Sequence, residues 1–84
     1  MERQWKSMSD YTNEQLKKFN FVEANLSPLL REARLDIVGA VYRVDLHNSE
    51  YVEVKFKHEF TTYADVTSDS LLTLCSDVIR QICY

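Results

Sequence analysis

The sequence predicts a small α+β domain of the order α(-α)-β-β-α, an antiparallel β-hairpin packed on one face by two or three helices. Three patterns carry that prediction. Val52, Val54, Phe56, His58 and Phe60 alternate with Glu53, Lys55, Lys57 and Glu59, as in a strand with one buried and one charged face. Ahead of it, Leu16, Phe19, Val22, Leu26, Leu29 or Leu30 and Ala33 recur at the three- and four-residue spacing of a helix stripe. Behind it, Leu71, Leu74, Cys75, Val78, Ile79 and Ile82 do the same. At 84 residues the chain forms one unit, read as a flexible leader over 1–10 and a single α+β domain over 11–84.

The leader is polar apart from its methionines and Trp5, whose indole is the one group there apt to dock elsewhere. Thr12 and Gln15 then stand three apart, the spacing of a capping box that satisfies free amides at a helix start. Glu14 and Lys18 are expected to pair on the solvent side. Pro28 lacks an amide and disfavours helical geometry at Ser27. The expectation is a break near Asn25 and a restart with Ser27 as cap and Pro28 in the first turn; a kink at Pro28 would bury the same face.

Residues 35–47 read as the first strand and 51–64 as the second, joined by Asn48, Ser49 and Glu50, with Asn48 suited to a left-handed conformation. That loop sets Leu46 opposite Val52, Val44 opposite Val54, Tyr42 opposite Phe56, Ala40 opposite His58 and Val38 opposite Phe60. On the outer face, the diagonals Arg43–Glu53 and Asp45–Lys55 attract. Thr67 or Ser68 should cap the last helix, with Asp69 near its positive end, Leu72 and Cys83 widening its stripe and Arg80 near its carboxyl end.

Composition narrows function by exclusion. A single glycine removes glycine-rich phosphate loops and dinucleotide motifs. His47, His58, Cys75 and Cys83 lack the close pairs of a zinc site. On one helix, Cys75 and Cys83 would stand roughly 12 Å apart, beyond disulfide range. His58 reads as a core-edge imidazole and Cys75 as a small core residue. Asp65 and Asp69 read as helix-start residues, and no serine has an interpretable histidine. No catalytic set, metal or cofactor is therefore expected. Free thiols, and the lack of an apolar core in residues 1–9, make the expected compartment cytoplasmic; no run is long enough for a membrane span.

The candidate surface is the first half of strand one. Ile37, Gly39 and Val41 fall on the outer face and Val38 and Ala40 on the inner one, so both sides of the strand need cover. Cover could come from a second copy, another protein, or the leader folding back through Trp5. A bulge after Gly39, turning Ile37 or Val41 inward, would remove the need. The expected protein interface is Ile37, Gly39, Val41 and Tyr63. The expected function is a non-enzymatic adaptor, inhibitor or regulator that binds an unidentified protein and forms a homodimer. A less favoured alternative is nucleic-acid binding by Arg43, Lys55 and Lys57 with Tyr51 and Tyr63, opposed by the interleaved Asp45, Glu53 and Glu59 and by the net charge of −3.

Overall fold

The computed structural model describes residues 4–66 and 70–83. A 3-10 turn, Met8–Asp10, leads into helix α1, Asn13–Phe21; a π turn, Val22–Leu26, and helix α2, Ser27–Ala33, follow. Strands β1 (Ile37–Val44), β2 (Glu50–Phe56) and β3 (Thr61–Val66) form an antiparallel sheet in the order β1-β2-β3. Helix α3, Leu71–Cys83, packs back on β3. The expected α+β fold is thus present, with a third strand in place of a lone hairpin.

The capping box at Thr12 is formed in both directions: Gln15 N–H donates to Thr12 Oγ1, and Thr12 N–H donates to Gln15 Oε1. Helical geometry then runs without a break through Pro28, contrary to the expected interruption. Leu26 and Ser27 both keep right-handed helical angles. The π turn explains the tolerance, because Ser27 N–H already reaches back five residues to Val22 O just before the proline's missing donor. Ser27 is freed from capping, and its hydroxyl accepts the Ala40 N–H on β1, 3.0 Å away.

The pairing register differs from expectation by four residues. Tyr42 faces Val52, Ala40 faces Val54, Val41 faces Glu53 and Arg43 faces Tyr51. Asp45 causes the shift. Its carboxylate accepts the His47 and Ser49 amides and organises a five-residue loop, with Asn48 left-handed at φ 66° as its side chain suggested. Leu46 therefore turns to solvent instead of facing Val52. Because the slide is even-numbered, Ala40, Tyr42, Val44, Val52 and Val54 all remain in the core.

Two further corrections concern strand ends. The expected strand over 51–64 is broken by a turn after Phe56, closed by Phe56 N–H donating to Phe60 O at 2.8 Å, with Glu59 at φ 61°. His58 and Phe60, expected inside, are exposed. On β1 the ladder is irregular between Ile37 and Gly39, so Val38 is the bulged residue. Ile37 is turned into the core at 3% exposure, and Val38 points out.

One core unites Val22, Leu26 and Leu30 with β1, β2, Ala64 and Val66 of β3, and Leu74 and Val78 of α3. Of the pair Leu29 or Leu30 it is Leu30 that joins the stripe, whereas Ala33 and Leu72, assigned to helix stripes by spacing, are exposed. The expected caps Thr67 and Ser68, with Asp69, lie outside the described residues; Ser70 Oγ accepts the Thr73 N–H at the start of α3. The Cys83 side chain is likewise outside them. Each edge strand has backbone groups taken up by a side chain at one position. Tyr11 Oη accepts the Val44 N–H on β1. On β3, the Gln81 amide accepts from Asp65 N–H at 3.0 Å and donates to Asp65 O at 2.9 Å.

Candidate functional site

Residues 4–6, expected as loose leader, lie against the free edge of β1. Lys6 N–H donates to Val44 O at 2.8 Å, and Leu46 N–H donates to Gln4 O at 3.1 Å, bracketing a bridge between Trp5 and Asp45. This phase sends the indole over the outer sheet face. There it meets Tyr51 edge-on, with centroids 5.7 Å apart at 77°, and Tyr63 at 5.5 Å and 31°. The Arg43 guanidinium lies 5.7 Å from the indole centroid. Trp5, the one leader group apt to dock elsewhere, is thus docked on the outer face against Tyr51, Tyr63 and Arg43.

Beneath the aromatic rings sits Glu53, 5% exposed, an unusual place for a carboxylate. Arg43 and Lys55 approach its Oε1 at 3.5 and 3.7 Å, and Tyr63 Oη donates to its Oε2 at 2.9 Å. Among the described residues Glu53 Oε1 accepts no hydrogen bond, so its charge is offset by two cations held at ion-pair distance. The expected Arg43–Glu53 attraction is realised. Asp45, committed to its loop, makes none with Lys55.

The nucleic-acid set is therefore split. Arg43, Tyr51 and Lys55 share the outer face, whereas Lys57 has left it for the β2–β3 turn, where its N–H donates to Asp36 O. The proposed interface set is divided as well. Val41 and Tyr63 lie on the outer face, Val41 half-buried. Gly39 is half-buried, and a Cβ built on it would come 3.3 Å from Ser27 Oγ, so glycine there permits a close side-chain approach. Ile37 is turned into the core, with 3% of its surface exposed.

The apolar surface that remains has moved next door. Pro28, Leu35 and Val38 line an open groove of about 560 Å³ together with Arg31, Glu32, the edge of Ile37 and Lys57. Leu35 is 82% exposed and Val38 54%. Sequence spacing missed Val38 because the bulge turns it outward, and Leu35 because it lies in the turn between α2 and β1 and not in the strand.

A third cluster lies under α1. Lys18 Nζ sits 2.7 Å from Glu50 Oε1, and Tyr42 Oη donates to the same carboxylate. The expected Glu14–Lys18 surface pair is absent; Glu14 meets Lys17 at 3.6 Å. Burial and the Glu50 charge push the Tyr42 phenol far above its ordinary range. Burial also pushes the Cys75 thiol up, away from nucleophilic use. Among the described residues no three His, Cys, Asp or Glu side chains converge, and no helix is long and apolar enough to cross a membrane. Neither a family model, nor a curated protein, nor a solved structure matches this chain.

Proposed function

We propose that this chain is a small non-enzymatic protein-binding protein, of adaptor or inhibitor type, that acts through the groove where α2 meets β1. One observation carries the reading: Leu35 and Val38 are exposed side by side on an apolar floor completed by Pro28. Arg31 and Lys57 outnumber Glu32 at the groove, which favours an acidic occupant, and a second copy of this chain, net −3, is the occupant proposed. Sedimentation equilibrium tests this. The expected result is a concentration-dependent dimer that Val38→Asp weakens at least about tenfold, the cost of burying an uncompensated charge. A dimer indifferent to Val38→Asp and Leu35→Ser, or a strict monomer, refutes it.

A second reading, single-stranded nucleic acid on the outer face, gains one observation: Trp5 joins Tyr51, Tyr63, Arg43 and Lys55 there. The buried Glu53 opposes it. Titration of a labelled oligonucleotide at low and high salt decides, since phosphate contacts give strong salt dependence.

A further inference from the structure

We infer that the free edge of β1 and the outer sheet face together form a binding site for an extended, tryptophan-bearing peptide segment. The chain's own residues 4–6 fill it in cis, and the same segment of a second copy fills it in trans. The two halves of the site do different jobs. Val44 O and Leu46 N–H supply strand-type bonds that recognise any extended backbone. Tyr51, Tyr63 and Arg43 surround one side chain on three sides, with the tyrosine rings and the guanidinium placed to take a flat, electron-rich indole. Asn48 Oδ1 accepts from Lys6 Nζ at 2.9 Å, adding a preference for a basic residue next to the tryptophan.

Attachment in cis is slight for a strand. Its backbone is held by two hydrogen bonds, which together make the Trp5–Asp45 bridge, so the side chains of Trp5 and Lys6 supply the remaining contacts, and the 3-10 turn at Met8–Asp10 separates it from α1. Every copy therefore carries both the site and its ligand, and exchange between copies replaces each contact with an identical one. This site is distinct from the groove at Val38 and does not depend on it.

Because Trp5 is the chain's single tryptophan, the test is clean. The full chain carrying Trp5→Ala and Lys6→Pro has no indole, and its segment has lost the donor to Val44 O. A synthetic peptide of residues 1–9 is titrated into it while indole emission is followed; circular dichroism checks the fold, and Trp5→Ala alone serves if the double variant unfolds. The expected result is a saturating blue shift, weakened about two- to tenfold by Tyr51→Ala or Tyr63→Ala and untouched by Val38→Asp. Emission that stays linear and unshifted up to about 1 mM peptide, the effective concentration of a short tether, overturns the site. In the Val38→Asp chain near that concentration, where the groove contact is removed, exchange yields a dimer that Trp5→Ala abolishes. A dimer that Trp5→Ala leaves intact overturns the exchange.

Discussion

Removing the charge of Glu50 tests how the helical layer is fixed to the sheet. The carboxylate takes the Lys18 ammonium at 2.7 Å and the Tyr42 hydroxyl, and the Lys18 and Glu50 side chains are 11% and 22% exposed. Cutting a fully buried ion pair costs about 3–5 kcal/mol, and an exposed pair is worth about 0.2–1 kcal/mol. With this much water access, Glu50→Gln and Lys18→Met should each cost about 2–3 kcal/mol. The double variant should cost well under the sum, leaving a coupling of about 1.5 kcal/mol, because it strands neither charge. An 84-residue domain has about 4–12 kcal/mol in hand, so the variants remain folded. Urea denaturation, with a slope near 1 kcal/mol per molar, should register each single change as a midpoint shift of about 2–3 M. A coupling below about 0.5 kcal/mol would show the contact to be a surface pair in energetic terms and would refute the reasoning.

Two other perturbations follow from single contacts. Gly39→Ala should destabilise by about 1 kcal/mol, because the new methyl meets a Ser27 hydroxyl held in place by its bond from Ala40 N–H; in a Ser27→Ala background the cost should shrink or reverse, read from the same denaturation curves. Tyr42 is kept neutral by the fold, so its contribution is fully present below the ordinary phenol pKa of about 10 and is lost as pH rises toward the folded value. The tyrosinate absorbance at 295 nm that Tyr42→Phe removes should emerge only together with the loss of helical dichroism, and an early, fold-independent rise in that difference would contradict this.

Much of this fold is legible in the sequence, and the misses share a cause. The capping box, the helix stripes and the buried face of β1 and β2 follow from local chemistry and period. The turn after Phe56 escapes notice because Lys57, His58 and Glu59 continue the alternation, and the residue with positive φ is a glutamate, with no glycine or asparagine to mark it. The β1 bulge is legible only as an alternative, placed after Gly39 where the structure has it between Ile37 and Gly39, because alternating apolar residues fit either face until one position is doubled. Side-chain commitments over long sequence distances are harder still. Nothing near Lys18 announces Glu50, and nothing near Trp5 announces Tyr51 and Tyr63, since each pairing exists only once the strands are stacked in register. The candidate site was legible as an excess of apolar residues on one strand, but which of them face water was set by the bulge.

Gln81 carries a consequence for how the molecule ends. A primary amide presents the same donor and acceptor as a peptide group, so at Asp65 the sheet meets something chemically indistinguishable from one more residue of strand, yet carried on a helix that cannot be extended sideways. At this one position it stands where a further strand would pair, and both backbone groups of Asp65 are taken by one borrowed side chain.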